Sequence, residues 1–448
     1  MINLPIQLSD GLVLRHATRA DTDAFAQFNA ANLGRDAIDA AMVAAWAHDL
    51  ISEQHPSCGP DNVFIVEDPR EKKIVSSMVL IPQTWTYAGI PFGVGRPEAV
   101  STDPAYRRRG LVRKQFEALH AQSAAQGHLA QGITGIYWYY RQFDYEYALD
   151  LGASRVMYFA AIPALKDPAI SAGNNESDAY RLRAMTLADI SFAARLYDRD
   201  CARSLVACPR DEKMWRHLLA GYARESGEYR PYQIIETLDG RVVGYLAPLA
   251  EIHDGRYRVA ELAVSEDQSL RAAMPSVLRG LKIMAEAQAA RQKKDVNAFQ
   301  FGLGRAHPLY EAMPELFPNE RVPYGWYIRV ADVPAFLRRI APALDARLAR
   351  SPLAGHTGEI KITEYRRGLR IAFENGKLKN AEAWTPEEPI DEKADAGFPP
   401  LTFLKLLFGR ESLAELREIF PDCWAKEDAA VLLDVLFPKM NSNVQPVG

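Results

Sequence analysis

The stretch Asp103-Pro-Ala-Tyr-Arg-Arg-Arg-Gly-Leu-Val-Arg113 has the residue types and order of an anion cradle, and a pyrophosphate would suit it. Clustered guanidiniums neutralise charge, and a turn that opens a helix aims backbone N–H groups at one point. Gly110 lacks a Cβ, so a phosphate can approach the backbone there. An isolated Arg-rich tripeptide is more often a solvated basic turn, so the neighbourhood decides. Arg96-Pro-Glu-Ala-Val-Ser-Thr102 ends as a strand ahead of it, and Leu111 to about Ala125 reads as a helix behind it. A second signal follows in Ile133-Thr-Gly-Ile-Tyr-Trp-Tyr-Tyr-Arg-Gln-Phe-Asp-Tyr145, which crowds phenols into one stretch. Tyr137, Trp138 and Tyr139 are expected on a strand.

The elements that must position these residues recur along the chain. Leu14-Arg-His-Ala-Thr-Arg-Ala-Asp-Thr-Asp-Ala-Phe25 returns 168 residues later as Leu182-Arg-Ala-Met-Thr-Leu-Ala-Asp-Ile-Ser-Phe192. Each copy reads as a strand ending in Leu-Arg, then a Thr-x-x-Asp helix start with the Thr as cap. Similar strands follow each, Val63–Val66 and Val75–Ile81 in the first, Tyr232–Glu236, Val242–Leu246 and Val259–Val264 in the second. Duplication of one α/β domain is the economical account. The second copy lacks the cradle, since Ser265-Glu-Asp-Gln-Ser-Leu-Arg271 supplies two acids and no glycine. A linker is expected from Lys166 to Ala179. Beyond Val330 the texture changes to an amphipathic helix over 332–350, alternating runs at 359–363 and 369–374 around an Asn375-Gly376 turn, and three late helices.

Composition sets outer bounds. At 448 residues, two to four domains are expected. A formal net charge of −4 argues against bulk nucleic-acid binding. Cys58, Cys201, Cys208 and Cys423 are scattered without zinc-ligand spacing, so reduced thiols and no metal are expected. No long apolar window marks a membrane span or leader, which suggests a soluble, cytoplasmic protein without a membrane partner.

The order of elements, with Arg107-Arg-Arg-Gly-Leu111 and Tyr140-Arg-Gln-Phe-Asp-Tyr145, resembles the GNAT superfamily of acyl-CoA N-acyltransferases. Leu401-Thr-x-Leu-x-x-Leu-Phe-Gly409 and Leu433-Asp-x-Leu-Phe-Pro438 narrow the resemblance to Eis-like (enhanced intracellular survival) N-acetyltransferases. That resemblance implies an α/β (α+β) architecture: a GNAT domain over 1–165, a degenerate GNAT-like domain over 176–330, and an α+β sterol-carrier-protein-like domain over 331–448. It also implies a homo-oligomer, acetyl-CoA as co-substrate, and a small-molecule or lysine-type amine as acceptor. Arg107, Arg108, Arg109 and Gly110, with the amides of Leu111 and Val112 and the flanking Arg113, would hold the pyrophosphate. Backbone groups from Val100 through Ser101 to Thr102 would hold the pantetheine arm and the acetyl carbonyl. Tyr140 matches the family's general acid. Val112 stands where Gly or Ala is usual, and Asp144 where Gly is usual.

Stripping a proton from an alkylamine of pKa about 10.4 at pH 7 costs about 4.6 kcal/mol, so a base is required. The family's implied base is a C-terminal carboxylate, here Gly448, although the usual aromatic end is replaced by Asn443-Val-Gln-Pro-Val-Gly448. Glu98 is the second candidate, expected on the same strand face as Val100 by alternation; its bland role is a pair with Arg96. His120 and His128 read as partners of a helix C-terminus, Trp85 and Tyr87 as packing, and the His307–Tyr310 segment as structural. An acyl-CoA or lipid-binding module with little catalysis is the rival reading.

Overall fold

The computed structural model describes residues 4–52, 54–164, 179–388 and 392–448. The expected linker falls almost wholly outside the described residues.

The first part of the chain gives β1 (Ile6–Gln7), β2 (Val13–His16), α1 (Thr22–Leu33), α2 (Ala37–Ile51), β3 (Val63–Asp68), β4 (Lys73–Tyr87) and β5 (Ile90–Thr102). Then come α3 (Leu111–Ala125), β6 (Ala130–Ile133), β7 (Glu146–Leu151) and β8 (Ser154–Tyr158). The second part gives β9 (Tyr180–Ala184), α4 (Ile190–Cys201), β10 (Val206–Ala207), α5 (Glu212–Ala220), β11 (Gln233–Thr237), β12 (Val242–His253) and β13 (Arg256–Val264). It continues with α6 (Leu270–Gln292), β14 (Ala298–Phe301), α7 (Pro308–Ala312), β15 (Asn319–Arg321) and β16 (Tyr324–Arg329).

These strands form two sheets of one pattern. The first runs β2-β3-β4-β5-β6-β16-β7, with β1 at its edge and β10 on the end of β4; the second runs β9-β11-β12-β13-β14-β8-β15. In each, the only parallel pair among the described strands is the fourth with the fifth, β5 with β6 and β13 with β14. The halves exchange a strand. β16 slots between β6 and β7 of the first sheet, and β8 slots between β14 and β15 of the second. The expected boundaries near 165 and 330 therefore cut across this exchange.

The repeat seen in sequence extends to its ion pairs. Thr18 and Asp21 form a capping box, as do Thr186 and Asp189. Arg15 bridges Asp21 at 2.8 Å and Glu67 at 2.7 Å; Arg183 bridges Asp189 at 2.7 Å and Glu236 at 2.9 Å.

The last part forms a third sheet, β19-β18-β17-β20-β21, from β17 (Gly358–Thr363), β18 (Gly368–Glu374), β19 (Lys377–Trp384), β20 (Ala396–Gly397) and β21 (Trp424–Ala425). The expected Asn375-Gly376 hairpin is present, both residues having positive φ. The single helix expected over 332–350 is instead α8 (Val333–Arg339) and α9 (Ala341–Ala349), because Pro342 starts a new helix after Ile340 leaves helical geometry. α10 (Phe403–Leu407), α11 (Leu413–Ile419) and α12 (Glu427–Leu436) complete the layer. Its core merges with the outer end of the first sheet: Trp85, Tyr87, Phe92 and Phe336 share one buried cluster with Leu407 and Phe408. Trp85 and Tyr87 are thus packing residues. No helix among the described residues is long and apolar enough to cross a membrane.

Candidate functional site

The cradle is built by one loop and one helix start. Arg108 and Gly110 both have positive φ, 64° and 74°, which turns the chain sharply into α3. A Cβ at Gly110 would meet nothing within 4 Å, so glycine is demanded by conformation more than by space. The first intrahelical bond is Lys114 N–H to Gly110 C=O at 3.1 Å. The amides of Leu111, Val112 and Arg113 precede it, with neither a side-chain cap nor an acid in the first turn. Such an end carries partial positive charge and free donors. α6, its counterpart in the second half, is capped internally by Ser269, which accepts from Ala272 N–H. It follows Glu266 and Asp267 and is closed to an anion.

The open helix end faces a cleft of about 630 Å³ lined by Val100, Ser101, Thr102, Arg107, Arg108, Gly110, Leu111, Val112 and Arg113. Asn32 and Leu33 at the end of α1, with Tyr106, Tyr139 and Phe143, also line it. Arg109 is not among the residues lining the cleft. Its guanidinium lies over the ring of Tyr106, which does line it, at 4.7 Å and pairs with Asp10 at 3.8 Å. Arg107 donates to Thr102 C=O at 3.3 Å and Arg113 to Gln142 at 3.0 Å. Among the described residues nothing holds the Arg108 side chain.

β5 and β6 splay apart. Their pairing stops at Gly95 with Gln131, although β5 continues to Thr102, so the β6-facing edge of β5 from Arg96 on has no strand partner. Unpaired backbone groups on a sheet edge are ready to bond an extended ligand. The equivalent opening beyond Val259 of β13 is filled: tail residues Asn443 and Gln445 sit there with Glu261 and Leu303 around about 70 Å³.

A bulge overturns the expected alternation of Glu98. Val79 lies opposite Glu98 and Ser77 opposite Ser101, which leaves Ala99 and Val100 both facing Met78, with Ala99 at φ 49°. Glu98 therefore shares the face of Val79, under α1 and α2, whereas Val100 packs with the core on the α3 side. Glu98 pairs with Arg96 at 2.6 Å. Burial pushes its carboxyl above the usual range, Arg96 opposes this, and Glu228 adds to it.

Tyr140 sits in a 3-10 turn, Tyr140–Phe143, and Tyr137–Tyr139 lie in the preceding loop and not on a strand, because Gly135 and Trp138 have positive φ. Tyr140 lies just behind the cleft wall, buried against Phe116, Tyr139 and Tyr327. Burial, followed by the charge of Glu98, raises its phenol well above the ordinary value, so it stays protonated at neutral pH.

The C-terminal tail follows the seam between the two sheets. Asn441 C=O accepts from Leu205 N–H at 2.9 Å, Gln445 C=O from Arg210 at 3.1 Å and Val447 C=O from Gln83 at 2.7 Å. Gly448 is buried, and its oxygen accepts from the Tyr222 hydroxyl. A Cβ on Gly448 would stand 2.8 Å from Arg96 Nη1 and 3.5 Å from the Glu228 carboxyl carbon. The tail thus brings Gly448 beside Arg96, which is paired with Glu98. Sequence reading missed His55, Tyr222 and Glu228 here, since no motif connects them.

Other histidines serve structure. His120 meets the Tyr145 hydroxyl at 2.9 Å, His128 meets Ser123 at 3.0 Å, and His307 caps α7 through Leu309 N–H. The four cysteines carry no disulfide.

No curated protein sequence matches this chain. Residues 13–148 match the family model described as acetyltransferase (GNAT) domain. Solved structures resemble the chain over almost its whole length. A probable N-acyltransferase from Enterococcus faecalis is 12% identical with TM-score 0.63, covering 98% of this chain and 100% of that one. A GCN5-related N-acetyltransferase from Anabaena variabilis is 14% identical with TM-score 0.62, covering 97% and 99%. Eis1 from Mycobacterium abscessus is 16% identical with TM-score 0.56, covering 98% and 99%. At such identities the structural likeness speaks for the fold alone. The chain is of mixed α/β fold, and its residues 13–148 match the acetyltransferase (GNAT) domain model.

Proposed function

We propose that this protein is an acetyl-CoA-dependent N-acetyltransferase that acetylates a primary amine by direct attack in a ternary complex. The pyrophosphate lies on the amides of Leu111–Arg113 and on Arg108, and the pantetheine arm runs along the open edge of β5 from Val100 to Thr102. The amine nitrogen attacks the acetyl carbonyl carbon, and a backbone N–H on that edge stabilises the oxyanion. When the C–S bond breaks, its electrons go to sulfur and Tyr140 supplies the proton, and the phenolate so formed takes back the extra proton of the amide nitrogen. The proton lost by the ammonium goes to the Gly448 carboxylate, with Glu98 beside it under Arg96. The second half is a degenerate GNAT-like unit, and the third sheet is a sterol-carrier-protein-like layer.

The observation that carries this reading is the uncapped end of α3, which opens on the cleft that Arg108 lines and leaves the amides of Leu111–Arg113 to an anion. On the acceptor side the Tyr222 hydroxyl donates to the Gly448 oxygen, and Arg96 Nη1 is buried beside Gly448 without a hydrogen-bond partner among the described residues.

The test is calorimetric titration with acetyl-CoA, then a thiol-release assay over a panel of primary alkylamines. Tyr140→Phe should keep acetyl-CoA affinity and lose on the order of 10²–10⁴ in kcat. A carrier without catalysis would bind acetyl-CoA and release no thiol with any amine. Failure of the intact protein to bind acetyl-CoA would sink the proposal.

A further inference from the structure

Behind the open edge of β5 lies a buried polar network that the mechanism above leaves without a role. Asn29 of α1 and Gln115 of α3 grip it from opposite faces of the sheet, and both are fully buried, as are Ser76 and Ser77 of β4. Asn29 Nδ2 donates to Phe25 C=O at 2.9 Å, which turns Oδ1 toward the sheet, 3.0 Å from the Ser77 hydroxyl and 3.1 Å from that of Ser101. Gln115 Nε2 donates to Phe64 C=O at 3.1 Å, and its Oε1 accepts from the Ser76 hydroxyl at 2.7 Å. Ser76 in turn lies 2.8 Å from the Thr102 hydroxyl. Consecutive strand residues point to opposite faces, so each helix meets one pair of hydroxyls, Ser77 with Ser101 and Ser76 with Thr102.

Proton counting sets the direction of the bonds under α1. The hydroxyls of Ser77 and Ser101 hold one proton each, and two acceptors face them, Asn29 Oδ1 and the Ala99 carbonyl. Ser77 reaches that carbonyl at 3.0 Å, so every acceptor is served when Ser77 donates to Ala99 and Ser101 to Asn29. Ala99 is the residue whose φ of 49° makes the bulge. A peptide is planar, so a hydrogen bond that holds the Ala99 carbonyl also holds the N–H of Val100, which lines the cleft.

The second half of the chain shows that the fold does not need this network. Val66, Ser76 and Thr102 align across the first sheet as Ile235, Gly244 and Val264 do across the second; Ile65, Ser77 and Ser101 align as Ile234, Tyr245 and Ala263 do. The rows start from Leu14 and Arg15 in one sheet and from their repeats Leu182 and Arg183 in the other. In the helices, Tyr197 and Met274 stand at the places of Asn29 and Gln115. None of these counterparts is a serine, threonine or amide. A buried polar group costs stability that apolar packing avoids, and here the half with the open cleft is the one that keeps such groups.

Resting on the reading that this edge holds acetyl-CoA, we propose that Ser77 is a positioning residue for the acetyl carbonyl. Its hydroxyl holds the peptide between Ala99 and Val100, whose N–H meets the carbonyl oxygen and then the oxyanion. Asn29 holds Ser77 and Ser101 against α1, and Gln115 holds Ser76 and Thr102 against α3. Ser77 is buried behind the cleft lining and acts on the co-substrate only through that peptide.

The experiment is difference infrared spectroscopy of acetyl-CoA, isotope-labelled at the acetyl carbonyl carbon, bound to the full-length protein and to Ser77→Ala, Asn29→Leu and the double variant. Calorimetry with CoA and with acetyl-CoA accompanies each spectrum. The measurement needs no acceptor amine, and Ser77→Ala removes a single oxygen from the fold. A donor at the carbonyl oxygen weakens the C=O bond, so in the intact protein the labelled stretch should lie below that of free acetyl-CoA. In Ser77→Ala it should return most of the way to the free value, while affinity for CoA, which has no acetyl carbonyl, is unchanged. Asn29→Leu should give a smaller return in the same direction. The double variant should go no further than Ser77→Ala alone, the signature of two residues acting through one peptide. A full shift retained in Ser77→Ala would overturn the positioning role, as would an equal loss of affinity for CoA and acetyl-CoA, which marks a structural contribution only. An unshifted stretch in the intact protein with acetyl-CoA bound would instead overturn the placement of the acetyl group on this edge.

Discussion

Arg108 and Arg109 are neighbours of the same type, and the structure gives them opposite weights in cofactor binding. Arg108 lines the cleft with no partner among the described residues, so its guanidinium is free for a phosphate. A hydrogen bond to a charged group contributes roughly 1.5–3 kcal/mol, so Arg108→Ala should weaken acetyl-CoA binding about 10- to 150-fold. Arg109 is spent on the Tyr106 face and on an exposed Asp10. Exposed pairs of this kind are worth about 0–1 kcal/mol, and Arg109 is not itself among the residues lining the cleft, so Arg109→Ala should change affinity less than about fivefold. Calorimetry at two ionic strengths reads both quantities, and the salt dependence should flatten only in Arg108→Ala, which removes a cation from the ligand. Folding of each variant is checked by thermal melting. If Arg109→Ala weakened binding as much as Arg108→Ala, the placement of the anion over this loop would be wrong.

Three further outcomes are expected. Gly448→Ala puts a Cβ 2.8 Å from Arg96 Nη1 and must push that buried guanidinium off Glu98, so kcat should fall at least about tenfold with acetyl-CoA affinity intact; unchanged kcat would contradict the placement. Burial lowers His128 and His307 to about 4, below the ordinary 6.5, so the unfolded chain binds more protons between those values. Stability to urea should therefore hold near pH 7, decline as pH falls through 6.5, and stop declining from this source below about 4. His307→Asn, which keeps a capping oxygen, should make that decline shallower, and an identical slope would refute the linkage. Residues 1–165 expressed alone lack β16, which leaves β6 and β7 without the strand between them, so the fragment should aggregate and become soluble when co-expressed with residues 176–448. A soluble, cooperatively unfolding fragment would count against the exchange as a stabilising feature.

How much of this was legible in the sequence depends on how far apart the cooperating residues lie. The cradle could be read because its arginines, its glycine and the helix amides are contiguous, and the repeat because a capping box occupies four adjacent residues. The direction of Arg109 could not be read, since the nearby Tyr106 ring and the distant Asp10 hold its guanidinium through contacts that composition does not encode. The bulge at Ala99 hid the face of Glu98, because strict alternation carries no sign of a single residue at φ 49°. The aromatic run at Tyr137–Tyr139 read as a strand from its composition, yet Gly135 and Trp138 bend it out of extended geometry.

The acceptor side had no local signal at all. His55, Arg96, Tyr222 and Gly448 come from four separate segments, and the bond that seats the tail, Gln83 to Val447, spans 364 residues. What joins them is the strand exchange. Because β16 belongs to the first sheet and β8 to the second, the openings after Gly95 and after Val259 share one seam, and the tail is laid along it. Asn443 and Gln445 fill the second opening, and three residues further on Gly448 reaches the first. The same short segment therefore accounts for both halves of the asymmetry: it occupies the splay whose helix end is already capped by Ser269, and it brings an oxygen-bearing group to the splay whose helix end is free.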